Sequence, residues 1–308
     1  MFRKYFFVLC IALFTYSFCF AQGDLIKVKL NSGDNYALTQ KSDTILANRI
    51  LSKLSSQCCH KSFNDMMVET AKCFLETPYI AATLEGGNNE ELRIFLHKTD
   101  CILFVETCFN LILCTREYEK GADFEKFADL VRQTRYRDGI VKEYSDRIHY
   151  TTEWIFQNQK RNLVEDITEQ IGGVVYDHPI FYMSKNYKNY TALKDAANGN
   201  QAQKDLYKIA LVEKRLNEKT FYYIPKDKIP EVEKFIKSGD IICYMSGVPG
   251  LDIAHVAIAY VEGGKVGFIH ASMGAKKVII DPKSIYEYCK SSKSITGIKV
   301  VRPIDIVR

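Results

Sequence analysis

Ile253-Ala254-His255-Val256-Ala257-Ile258-Ala259-Tyr260-Val261-Glu262-Gly263-Gly264-Lys265-Val266-Gly267-Phe268-Ile269-His270-Ala271 reads as two apolar, β-rich runs joined at a glycine pair. Runs separated by Gly-Gly form a hairpin with a two-residue turn, because glycine takes positive φ without steric cost. That turn sets Glu262 opposite Lys265 and pairs positions whose numbers sum to 527. His270 then stands opposite Ala257, which points the same way as His255 in a strand of period two. The two imidazoles become diagonal neighbours on one face, ~7–8 Å apart at the backbone and within reach of each other. One histidine in a strand is ordinarily a satisfied, half-buried residue. Two on a diagonal are an odd choice for packing alone.

Further strands are predicted around this hairpin, at Asp240–Tyr244, Lys277–Ile280 and Ile298–Arg302. Upstream, Asp43 to about Glu76 has the apolar spacing of two helices, and Leu92–Leu96 suggests a short strand. A strong helix is predicted from Cys101 to Lys120, with Asp100 as its N-cap and residues 101, 105, 108 and 112 on one face. Between the helical and strand-rich parts lies a middle insertion, about 122–235. It holds a helical stretch at Phe124–Val131, an aromatic and basic segment at Arg135–Trp154, and charged helices or loops to Pro230. Helices first and antiparallel strands later predict an α+β fold.

Residues 1–21 have the form of a signal peptide. Arg3 and Lys4 precede an apolar run from Tyr5 to Phe14, and Cys19-Phe20-Ala21 places small residues where cleavage before Gln22 would need them. A retained anchor is the alternative, but the run is short for a membrane span. Export, to the periplasm, is the expectation, with residues 22–308 as one catalytic domain and no stable membrane insertion after cleavage. Losing Arg3 and Lys4 and no acids takes the formal charge from +5 to +3. That balance, without a dense basic cluster, argues against a nucleic-acid partner. Eight of the ten cysteines would remain, and no CxxC pair suggests a structural zinc site. Cys58 and Cys59 are adjacent, so at most one would bridge to a distant partner such as Cys73; connectivity stays open.

Cys101 carries the chemistry in combination with the hairpin. A helix N-terminus presents unpaired N–H groups and partial positive charge, which lower a thiol pKa. A neighbouring imidazole can take the thiol proton, and a second can fix the tautomer of the first. The Cys101 N–H would face the oxyanion that forms when an amide is attacked. Each residue alone has a plainer reading: Cys101 as a small core hydrophobe, Asp100 as a cap only, His97 as an exposed turn residue.

At these residues the chain resembles the bacterial N-acetylmuramoyl-L-alanine amidase-like proteins, a branch of the NlpC-type cysteine peptidases with a papain-like core. The resemblance rests on Thr77-Pro78-Tyr79-Ile80-Ala81-Ala82-Thr83-Leu84-Glu85, on Asp100-Cys101 with Phe104-Val105-Glu106, and on Arg135-Tyr136-Arg137-Asp138-Gly139. It continues through Ser145-Asp146-Arg147-Ile148-His149-Tyr150, Trp154-Ile155, Tyr182-Met183-Ser184 and Gly239-Asp240-Ile241-Ile242. Leu251-Asp252-Ile253-Ala254-His255-Val256 and His270-Ala271-Ser272 complete it. It spans roughly residues 70–303, with the motifs in order.

This resemblance implies a papain-like fold, Cys101 as nucleophile, His255 as base and His270 as orienting residue. It places Tyr79 beside the thiol, near the oxyanion site. Arg135, Arg147 and His149 match positions expected to line the substrate cleft, where arginine suits carboxylates; the competing reading is a structural ion-pair and stacking cluster. The implied partners are peptidoglycan fragments (muropeptides), cut at the amide between the lactyl group of N-acetylmuramic acid and L-alanine, with 1,6-anhydro sugars favoured. No cofactor or metal is implied. Ala82 stands where glycine is expected, Ile102-Leu103 where Val-Thr is commoner, and Ala257 where glycine is usual. None removes a reacting atom, so they bear on substrate preference before reaction type. Competing functions are a stem-peptide endopeptidase with the same triad, a lipid acyl transferase, for which no lipid-facing stripe is evident, and a muropeptide binder without turnover.

Overall fold

A computed structural model describes residues 24–33, 35–57, 61–86 and 89–305. The expected signal peptide and the Cys58-Cys59 pair lie outside them. The chain opens with β1 (Leu25–Lys29) and β2 (Tyr36–Gln40), a hairpin unanticipated from sequence, then α1 (Lys41–Gln57) and α2 (Phe63–Lys72). The segment expected as a strand at 92–96 is reduced to β3 (Leu92–Arg93), which pairs parallel with β2. Next come α3 (Cys101–Tyr118), α4 (Phe124–Arg135) and α5 (Thr151–Lys160). The middle region continues through β4 (Val164–Asp166), β5 (Val174–Val175), α6 (Tyr182–Lys185), α7 (Gln201–Asn217) and β6 (Tyr222–Pro225), so three short strands stand where helices or loops were expected. After α8 (Ile229–Val232) come β7 (Ile241–Ser246), β8 (Ile253–Glu262), β9 (Lys265–Ser272), β10 (Lys277–Ile280), α9 (Ile285–Ser291) and β11 (Ile295–Pro303).

The fold is mixed α+β. Its main sheet has eight antiparallel strands in the order β10-β9-β8-β7-β11-β6-β5, with β4 on β11. Both faces are covered, which is why β7 is buried at every position rather than alternating. One face, with Ile241, Cys243, Met245, Val256, Ile258, Ile269 and Ala271, packs on the helical layer of α1 to α4. The other, with Ile242, Tyr244, Ala257, Ala259 and Phe268, packs on Ile285 and Cys289 of α9 and on Ile229 and Val232 of α8. Helix α3 is apolar nearly all round and lies within the first core, as such a helix must.

The β8–β9 register is the one the turn dictates, from Glu262↔Lys265 to Ile258↔Ile269, with Gly263 and Gly264 at φ +57° and +80°. The ladder ends there, one pair short of Ala257 and His270. On its other side β8 carries a bulge: Tyr244 pairs with His255 but Met245 with Ile253, leaving Ala254 extra. A bulge re-aims the residues beside it. Ile253 and Val256 consequently both face the helical layer although three residues apart, and His255 falls on the α9 face.

Candidate active site

Helix α3 starts where the sequence places it. Asp100 is its N-cap, accepting from the Leu103 N–H at 2.9 Å. The approach to it is held from two sides. Buried Asp43, in the first turn of α1, accepts from the Leu96 and His97 N–H groups at 2.8 and 3.1 Å and lies 2.8 Å from His97 Nδ1. Segment 76–80 is strung between β10 and Thr99: Tyr79 N donates to Lys276 O at 2.9 Å, and Ile80 N to Thr99 O at 2.8 Å. Tyr79 and Cys101 thereby pack against the same core. His97 remains exposed at its ring, away from the thiol's helix turn. Ala82 sits at φ +58°, a left-handed conformation that explains why glycine is expected at this position.

The Cys101 sulfur meets backbone N–H groups of Cys101, Ile102 and Val256, and all three favour the thiolate. They are outweighed. Burial, with the Asp100 carboxyl next, pushes the thiol up to about 12. The helix-end field expected to favour the thiolate is therefore opposed: the residue keeps some exposure, yet its sulfur is walled in, and desolvation works against ionisation. No hydrogen bond joins the thiol to either imidazole among the described residues. The link between them is Val256, the residue after His255.

The histidines do meet. His255 Nε2 lies 2.7 Å from His270 Nδ1, with the rings edge to face. Tyr244, Phe268 and Tyr288 surround them; Tyr244 stacks on His255 at 5.7 Å between centroids. Burial holds both imidazoles below the ordinary histidine range. A fourth group went unanticipated: Asp281 Oδ2 lies 3.2 Å from His270 Nε2. Strand register would have found it, because Ile279 pairs with His270 and Asp281, two residues on, returns to the same face.

The residues expected along the cleft gather at a cavity of about 80 Å³ beside the start of α3. It is lined by Leu84, Ile102, Arg135, His149, Trp154 and Val256, among others, with Arg147 also on its wall. Arg135, Arg147 and His149 are already partnered. Arg135 reaches Glu106 Oε2 with Nε at 2.8 Å and Nη2 at 2.5 Å, and donates to Arg93 O at 2.6 Å. Arg147 lies 2.6 Å from Glu85 and 3.6 Å from Glu90, with its guanidinium 4.9 Å over the Tyr144 ring. His149 Nε2 is 2.8 Å from Tyr144 O, and burial holds its pKa well below the usual range. Asp252, three residues before His255, accepts from Thr152 N at 2.8 Å and so caps α5 from outside, a tie between the cavity wall and β8 that sequence reading missed.

Comparisons with known proteins agree with this architecture. A structure of an N-acetylmuramoyl-L-alanine amidase from Bacteroides uniformis ATCC 8492 is 31% identical with a TM-score of 0.72, covering 79% of this chain and 99% of that one. A Bacteroides fragilis protein whose structure carries a provisional xylanase name is 34% identical with a TM-score of 0.70, covering 76% and 99%. A Legionella pneumophila str. Philadelphia 1 protein at 23% identity and TM-score 0.61, covering 85% and 96%, shares the fold. No curated protein matches the chain. The family model described as N-acetylmuramoyl-L-alanine amidase-like matches residues 69–298, so the chain belongs to that family and is an amidase-like hydrolase.

Proposed function

We propose that this protein hydrolyses the amide between the lactyl group of N-acetylmuramic acid and L-alanine in muropeptides, with the 1,6-anhydro form favoured. Cys101 is the nucleophile, His255 its base and His270 the residue that orients the base, in a papain-like NlpC-type arrangement. The observation that carries this reading is the juxtaposition at β8. One residue there, Val256, contacts the thiol at a helix start, and its neighbour His255 is hydrogen-bonded to a second histidine.

A neutral thiol beside neutral imidazoles implies that deprotonation accompanies attack rather than preceding it. As Sγ bonds to the carbonyl carbon, its proton passes to His255. The oxyanion then forms near the N–H groups of Cys101 and Ile102, with Tyr79 adjacent. His255 returns the proton to the departing L-alanine nitrogen, leaving a lactyl thioester on Cys101. Water, deprotonated by His255, releases the muramic acid and restores the thiol. Arg135, Arg147 and His149 serve as the wall of the cleft, rigid because Glu106, Glu85 and Tyr144 already hold them. Export to the periplasm fits peptidoglycan fragments as substrate; among the described residues no helix is long and apolar enough to cross a membrane.

Defined muropeptides incubated with the mature chain, and with Cys101→Ala, test this by mass spectrometry of products. Release of the sugar from an intact peptide supports the amidase. Cleavage between amino acids points to an endopeptidase, and no product under reducing conditions to a binder.

A further inference from the structure

Two imidazole nitrogens 2.7 Å apart need one donor and one acceptor, and the heavy atoms alone leave the direction open. What lies beyond the pair decides it. His270 Nε2 faces Asp281 Oδ2 at 3.2 Å, and an ionised carboxylate only accepts. A neutral imidazole with its proton at Nε2 has a bare Nδ1. His270 Nδ1 then accepts from His255 Nε2–H, and His255 is left bare at Nδ1.

Resting on the catalytic reading above, we propose that Asp281 is a positioning residue: its carboxylate keeps the proton on His270 Nε2, so that Nδ1 is the bare nitrogen of His255 and serves as the base. No proton is created or lost in this chain. The thiol proton moves to His255 Nδ1, the resulting cation shares its Nε2–H with His270, and Asp281 faces the far end. Among the described residues, Asp281 is the carboxylate in ion-pair contact with this pair. The ionisable side chains in ring contact with the pair are Tyr244 from β7 and Tyr288 from α9, and burial raises the pKa of each. The Asp281 contact is not yet a straight hydrogen bond, since His270 Nε2 has no aligned partner. It is positioned to tighten once the pair becomes cationic, as contacts at resting catalytic sites commonly do.

The test compares wild type, Asp281→Asn, Asp281→Glu, Cys101→Ala and His255→Ala on an N-acetylmuramoyl-L-alanine peptide, with kcat and KM followed across pH. Asp281→Asn is expected to lose about 10- to 100-fold in kcat, as for other groups that orient a functional side chain, with KM within about twofold. Its acid limb should move to lower pH, because the carboxylate that raises the proton affinity of His270 is gone. Asp281→Glu should recover part of the loss. Nitrogen NMR of the wild-type histidines gives a readout independent of turnover, with the proton expected on His255 Nε2. Wild-type kcat and an unmoved acid limb in Asp281→Asn, with Cys101→Ala and His255→Ala inactive, overturns the Asp281 role alone. A proton found on His255 Nδ1 overturns it too, even if Asp281→Asn fails to fold. Turnover by Cys101→Ala or His255→Ala removes the catalytic reading, and this inference with it.

Discussion

Two buried polar clusters flank the start of α3, and they are built on opposite terms. On the cavity wall, Arg135 with Glu106 and Arg147 with Glu85 and Glu90 leave no charge without a counter-charge. At the hairpin, His255 and His270 are held neutral by burial, and the Tyr244 hydroxyl and His270 Nε2 lack aligned partners. Ions paired at short range are fixed, and their removal leaves an uncompensated charge in a low dielectric. Neutral groups with spare valence can change protonation state during a reaction. On the proposed reading the first cluster is architecture and the second is machinery.

Variants separate the two. Cys101→Ala should cost on the order of 10⁴-fold or more in turnover, with melting temperature close to wild type; retained turnover would erase the distinction. His255→Ala should lose more rate than His270→Ala, because orienting a base matters less than being one; equal or reversed losses in kcat/KM count against the roles. Glu106→Gln should act on stability, since stranding the Arg135 cation costs about 3–5 kcal/mol. That is a fall in Tm on the order of 10 °C, read by calorimetry, and an unchanged Tm would show the wall to be looser than its distances imply.

The smallest effect is on pH. His149, His255 and His270 all have pKa values lowered by burial from 6.5. Below that value the unfolded chain takes up protons that the folded chain refuses, so stability present above pH 6.5 is lost as pH falls. The raised carboxyls of Asp100 and Glu90 act in the opposite sense. Tm measured between about pH 7 and 5.5 should therefore decline with acid, and a flat profile would place these rings in water.

Much of the site was legible because it is local. A Gly-Gly turn fixes the β8–β9 register, and Asp100 before an apolar run fixes the first residue of α3. What escaped reading depends on pairings between separated segments. The Ala254 bulge needs β7 opposite β8, Asp281 needs the β9–β10 register, and the Asp252 cap needs α5 against β8. The β1–β2 hairpin was missed although Leu25-Ile26-Lys27-Val28-Lys29 alternates as an edge strand should. Desolvation of the thiol has a related origin: helix polarity is visible in sequence, whereas the burial that opposes it comes from the rest of the fold.

The most direct test is the intact mass of the protein, quenched in acid during turnover of an N-acetylmuramoyl-L-alanine peptide. A muramyl lactyl adduct on the peptide containing Cys101, absent in Cys101→Ala, is the expected result. Full turnover with no adduct at that sulfur, and undiminished product from Cys101→Ala, would contradict it.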